Sequence, residues 1–185
     1  MNMSTTQTAN KAGRDIIGGN KIEQFAAPST PLTRLYEIFR DANAAAPYTA
    51  QISDMLQHYC ATTTGSDVRG LEEKLNASNR QDLLADASMW KEQASKMIMK
   101  WQTSPVAQDI LTHILTRLHA EFTLNVRPAV EAGKTREEVD ELISSKVLQP
   151  AHVMLGDNDL GLSYIDLLGL LFFLGGNCHI RWDKC

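Results

Sequence analysis

The chain has 185 residues, with 18 Lys and Arg against 22 Asp and Glu and a net charge of −4; this suits one domain with an added arm and lacks the clustered basic footprint of a nucleic-acid binder. Its three cysteines, Cys60, Cys178 and Cys185, are an odd number without regular spacing, which speaks against a secreted disulfide framework and for the reducing cytoplasm. The N-terminus has no apolar h-region of a signal peptide, and the most apolar run, Leu167 to Leu174, is too short for a membrane span of ~20 residues.

Residues 1–29 differ from the rest. They are rich in Thr, Asn, Gly and Ala and poor in large apolar side chains. Within KAGRDIIGGNKIEQF, the β-branched Ile16, Ile17 and Ile22 are punctuated by Gly13, Gly18 and Gly19. That pattern favours a short extended strand and a turn. A lone strand is not stable, so it must pair with this domain, with another copy of the chain or with a partner. The same composition also suits a disordered tail.

From residue 30 to 185 the pattern is helical. Thr30-Pro31 reads as an N-cap and first helical residue, followed by Leu32, Leu35, Phe39 and Ala42 at helical spacing. Pro47 opens a second helix, with Ile52, Met55, Leu56 and Tyr59 on one face. A short segment carries Val68, Leu71 and Leu75. Asn79 is expected to cap a longer helix whose stripe is Leu83, Ala87, Trp90, Ala94, Met97, Ile98 and Trp101. Ser104-Pro105 starts another, with Val106, Ile110, Leu111, Ile114, Leu118 and Phe122, which Pro128 should end or kink. Gly133 is a stop signal. Thr135 and Glu138 form a capping box, as do Ser163 and Asp166. Pro150 disturbs the first of these two helices late, GDNDLGL at 156–162 is a loop, and Gly175-Gly176 should end the last helix through a left-handed cap. The fold class is therefore all-α: a compact bundle of six to seven helices behind an extended glycine-rich arm.

Chemistry-bearing residues gather in the tail. Cys178, His179, Asp183 and Cys185 have metal-ligand side chains, and His58 and Cys60 could supply a second pair. Adjacent side chains in an extended segment point to opposite faces, so Cys178 and His179 make a poor ligand pair and a poor nucleophile–base pair. The preferred reading buries Cys178 as a small hydrophobe and packs Ile180 and Trp182 on the bundle, with Arg181 and Asp183 facing solvent or a partner. His113 and His119 lie six residues apart and do not share a helix face. There is no HExxH pattern, no phosphate-binding GxxxxGK[ST], and too few ligands in GDNDLG for a calcium loop. No cofactor is expected, and no enzyme.

Two stretches taken together, GRDIIGGNK and LGLSYIDLLGLLFFLGGNCHIRWDK, give a resemblance. With DVRGLEEKL, NRQDLLADA and PAVEAGKTREEVDELISSKVLQP in order between them, the chain resembles the small helical C-terminal-type domain of bacterial ABC-three-component conflict systems. Those systems are similar to Lamassu-type antiphage defence. The resemblance implies a non-catalytic adaptor that couples an effector to an SMC-like or Rad50-like ATPase. The chain departs from the usual layout in starting at methionine without room for an effector domain, so either it is a stand-alone subunit encoded beside its partners or the family's fused role does not transfer; the expected compartment is the cytoplasm. Its marks are Gly13, Asp15, Ile16, Gly18 and Gly19 in the arm, and Gly175, Asn177, Cys178, His179, Ile180 and Trp182 in the tail. The interface residues expected on this basis are Gly13, Asp15, Ile16, Ile17, Gly18, Gly19 and Ile22, through which copies would join into a homo-oligomer, together with Cys178, His179, Arg181 and Trp182. Neither a membrane nor nucleic acid is an expected partner. The rival is a metal-binding or thiol-dependent enzyme built on Cys178, His179 and Cys185.

Overall fold

The structure, a computed structural model, describes residues 30–42, 53–61 and 69–183. The arm with Gly13, Asp15, Ile16, Ile17, Gly18, Gly19 and Ile22 lies outside these residues, and so does the expected helix start at Pro47. Among the described residues there are seven continuous helices and no strand, as the periodicity predicts. They are α1 (Pro31–Ala42), α2 (Asp54–Cys60), α3 (Leu71–Ala77), α4 (Leu84–Lys100), α5 (Pro105–Glu121, continued to residue 131), α6 (Arg136–Leu142, continued to residue 155) and α7 (Tyr164–Gly176).

The caps form where the sequence places them. The Thr33 amide donates to Thr30 Oγ1 at 3.1 Å, and the Ala107 amide to Ser104 Oγ at 3.3 Å. Both capping boxes close: the Thr135 amide reaches the Glu138 carboxylate at 2.9 Å, and the Ser163 amide reaches Asp166 at 2.8 Å. Ser53 caps α2, accepting from the Leu56 amide. Met55 departs from its expected place on the buried face of α2 and is exposed; among the described residues Leu56 and Tyr59 hold that face down, while Ile52 of this stripe and Val68 of the next lie outside them.

Pro128 and Pro150 do not end their helices. Ahead of each, the helix widens into a π segment, Phe122–Val126 and Ile143–Leu148, and then resumes as Arg127–Glu131 and Gln149–Leu155. A proline ring clashes with the carbonyl four residues back and donates no hydrogen bond there. An extra residue in the preceding turn removes that conflict at the cost of disturbed carbonyl pairing. Side chains take over part of the pairing. Asn125 Nδ2 donates to the Glu121 carbonyl at 3.1 Å, and Ser145 Oγ donates to the Glu141 carbonyl at 2.8 Å.

The central helix is α5, which buries Ala107, Ile110, Leu111, Ile114, Leu115 and Leu118 completely. Helices α1 and α2 pack on it from one side, and α7 from another. The broadest contact joins α4 to α7. It is close because Gly169 has no side chain: a Cβ there would stand 2.8 Å from the Trp90 carbonyl oxygen. Arg40 on α1 grips Asp159 in the 156–162 loop with both carboxylate oxygens at 2.9 Å. Across that loop, the Asn158 side chain bonds both the amide and the carbonyl of Leu162.

Three helices end in one way, and two of the ends correct an expectation. Asn79 does not open α4. It has φ 57° and closes α3, with its amide donating to the Asn76 carbonyl at 3.1 Å and the Arg80 amide to the Leu75 carbonyl at 2.7 Å. Gly133, φ 71°, closes α5 in the same pattern through Val130 and Ala129. At the end of α7, neither Gly175 nor Gly176 is left-handed. The helix runs through both, and the left-handed residue is Cys178, φ 66°. Its amide donates to the Gly175 carbonyl at 3.2 Å, and the His179 amide to the Leu174 carbonyl at 2.9 Å. This is the Schellman ending, with cysteine where glycine or asparagine usually stands.

Candidate functional site: the C-terminal tail and its cavity

The left-handed turn at Cys178 sends successive tail residues to different elements. Asn177 Nδ2 donates to the Tyr59 carbonyl at 3.0 Å, and His179 Nε2 lies 3.2 Å from the same oxygen. Cys178 Sγ faces the Arg69 carbonyl at 3.5 Å. Ile180 and Trp182 are buried on the bundle as expected. The Trp182 ring meets Phe122 at 6.0 Å and Phe172 at 5.4 Å between centroids, and it lies directly over Gly175. Arg181 is half-buried. Asp183 does not face solvent: its side chain is buried and pairs with Arg69 at 2.5 Å.

Beneath the tail sits Lys74, whose side chain is fully buried. Its Nζ donates to the Gly175 carbonyl at 2.6 Å and reaches the Ile180 carbonyl at 3.4 Å. Burial pushes the ammonium below lysine's usual range, and the neighbouring Cys178 side chain opposes that shift. The sequence carries a signal for this lysine. In LEEKL it stands three residues after Leu71 and next to Leu75, on the apolar face of α3.

Three histidines meet where the tail crosses α2 and α5. The ring centroids of His58 and His179 are 5.1 Å apart, and those of His119 and His179 are 6.0 Å apart. Tyr59 touches all three rings. His119 and His179 both titrate below the usual imidazole range, chiefly through burial and then through the charge of His58. No single segment announces this cluster, because it joins residues from three distant parts of the chain.

A cavity of about 340 Å³ opens beside the cluster. His119, Thr123, Arg127 and Glu131 of α5 form one wall, and Cys178 and Arg181 of the tail the other. The π segment of α5 borders it through Phe122 and Thr123, opposite the left-handed turn at Cys178. The expected site residues Cys178, His179 and Arg181 line this cavity, whereas Trp182 packs behind them in the core. Among the described residues, no group of three or more His, Cys, Asp or Glu side chains is arranged to hold a metal ion. Of the expected ligands, Cys178 and His179 diverge, each turned to a different backbone carbonyl, whereas His58 and His179 come together. Cys185 lies outside the described residues.

Residues 70–182 match the family model of C-terminal domain 9 of the ABC-three component (ABC-3C) systems. The chain belongs to that family. No curated protein and no solved structure matches it. The match starts at the N-cap of α3 and ends at Trp182, so α3 to α7, the buried Lys74 and the tail constitute C-terminal domain 9. Helices α1 and α2 precede the matched residues. Membership ties the chain to partners within an ABC-three component system. No helix of the described residues is long and apolar enough to cross a membrane.

Proposed function

We propose that the chain is a non-catalytic assembly subunit of a bacterial antiphage complex, coupling an effector to an SMC-like or Rad50-like ATPase in the manner of Lamassu-type systems. The observation that carries this reading is the match of α3 through the tail to a family defined by its three-component systems. The chemistry of the tail supports it. Cys178, His179 and Asn177 spend their polar atoms on backbone carbonyls, which fixes the tail rather than arming it. In this reading the arm, with Gly13, Asp15, Ile16, Ile17, Gly18, Gly19 and Ile22, joins copies of the chain by strand addition in the cytoplasm. Arg181, half-buried at the rim of the cavity, has the chemistry of an interface anchor.

The test is co-expression with the ATPase and effector subunits encoded beside it, followed by native mass spectrometry of the purified material. The full chain should enter a complex with both. A chain beginning at Ala27 should lose self-association. A bound metal in the spectrum, or loss of defence on Cys178→Ser with assembly intact, would favour the thiol or metal enzyme instead.

A further inference from the structure

We propose that His58, His119 and His179 form a proton-sensitive clasp that holds α2 on the body of the domain and lets it go on acidification. Helix α2 has seven residues, well below the length at which a helix is stable without packing. Its anchors are the buried side chains of Leu56 and Tyr59, a bond from the Ser53 amide to Gln108 Oε1 at 2.6 Å, and a contact from the Tyr59 hydroxyl to Thr116 at 3.3 Å. A further anchor among the described residues is the Tyr59 carbonyl at its C-terminal end, held by Asn177 and His179 of the tail. The three imidazoles meet at that point. His58 comes from α2, outside the residues that match C-terminal domain 9, whereas His119 and His179 come from within them. The clasp therefore joins the family domain to a helix that precedes it.

Burial outweighs the backbone groups that favour imidazolium, the Tyr59 and Ala61 carbonyls at His179 and the His179 backbone at His119; on α2 itself, Asp54 stands one turn before His58. From the α3 side, Lys74 and Arg69 lie under the tail, and from the tail itself come Cys178, Arg181 and Asp183. From α5 come Arg127 and Glu131 on the cavity wall, with Arg117 and Glu121 flanking His119 along the helix. The carboxylates are engaged: Glu131 by Arg127 at 2.7 Å, Glu121 by Arg117 at 2.7 Å and Asp183 by Arg69. A proton added to His119 or His179 thus enters a half-buried cluster of edge-on and tilted rings beside other imidazoles.

The sign follows. Both rings are depressed in the docked state by burial and by His58, so the released state binds more protons below the ordinary imidazole pKa of ~6.5. The docked state is fully favoured above that value and loses ground as pH falls through it. Each depressed imidazole raises the open-to-docked ratio by up to about tenfold per pH unit. Release uncovers the surface of α5 that Leu56 and Tyr59 cover.

Hydrogen exchange on the full chain at pH 7.5 and 5.5, corrected for intrinsic rates, tests this. Protection of residues 56–60 should fall several-fold, by up to about tenfold per depressed imidazole, while Ile110–Leu118 stays protected. In His119→Phe, which keeps a ring against Tyr59, the fall should shrink to a few-fold. His58→Gln, an exposed position, should shrink it too if His119→Phe misfolds. An equal pH response in α2 and α5, or a full pH step in both variants, overturns the proposal.

Discussion

Gly175 and Trp182 should behave as one unit. A Cβ at Gly175 would lie 2.4 Å from two ring carbons of Trp182, and the ring is 4% exposed between Phe122 and Phe172. Burying about 200 Å² of indole is worth ~5 kcal/mol at ~25 cal/mol per Å², an upper estimate because unfolded chains are partly compact. Trp182→Ala should therefore cost about 3–5 kcal/mol. Gly175→Ala should cost about 1–2 kcal/mol, an overpacking strain partly offset by alanine's better helix propensity. Once the ring is gone the clash is gone, and Gly175→Ala should become neutral or stabilising by up to about 1 kcal/mol. The coupling in a double-mutant cycle is then ~1–3 kcal/mol. Urea denaturation of all four proteins, followed by far-UV circular dichroism, measures it. If Gly175→Ala costs the same with and without the indole, the glycine is not there to seat Trp182 and the packing argument fails.

Gly169→Ala should be more damaging than Gly175→Ala, by about 1 kcal/mol or more, because its Cβ would strike the Trp90 backbone carbonyl at 2.8 Å and a helix cannot step aside as a side chain can; equal urea midpoints for the two variants would contradict this. Lys74→Met keeps the stem but takes the donor from the Ile180 carbonyl and one of two donors from the Gly175 carbonyl, which keeps the Cys178 amide, so a loss of about 1–2 kcal/mol is expected; a variant more stable than the parent would show that burying the amine costs more than its bonds return. Asn125→Ala removes the donor that caps the Glu121 carbonyl at the π segment and should lower stability by about 1 kcal/mol, with amide exchange rising first in residues 122–126.

The helices were legible because their signals are local. Thr30-Pro31, Ser104-Pro105 and the two capping boxes each satisfy orphan amides within one turn, and the apolar stripes of α4 and α5 face the core as their spacing requires. What the sequence hid depends on partners distant in the chain or on competing local geometries. Asn79 suits either end of a helix; its left-handed φ, needed to turn the chain after α3, settles which. Pro128 and Pro150 carry a local stop signal, but Val130, Ala151 and Leu155 beyond them are buried, and that packing outweighs the proline conflict once a π turn absorbs it. Lys74 was legible in principle from its place on an apolar face, yet residue type alone would put it in solvent.

Cysteine, histidine and aspartate in close sequence suggest a metal or a nucleophile. In the structure Cys178 and His179 face backbone carbonyls and Asp183 pairs with Arg69, so each has a contact that holds the tail down. The turn that directs them depends on Cys178 at a φ that costs a side-chain-bearing residue roughly 1–2 kcal/mol. At the equivalent positions of α3 and α5 the chain uses Asn79 and Gly133, which suffer less from it. At α7 the shape is held from outside, by the Lys74 amine on the Gly175 carbonyl, by Asn177 and His179 on the Tyr59 carbonyl, and by Trp182 over Gly175. Those bonds bring α2, α3 and α7 together at one point. A tail fixed by its neighbours reports their positions, so a partner that shifts α2 or enters the cavity beside His179 must also disturb the seat of Trp182. That linkage gives the domain a physical means of passing a binding event from its surface to its core.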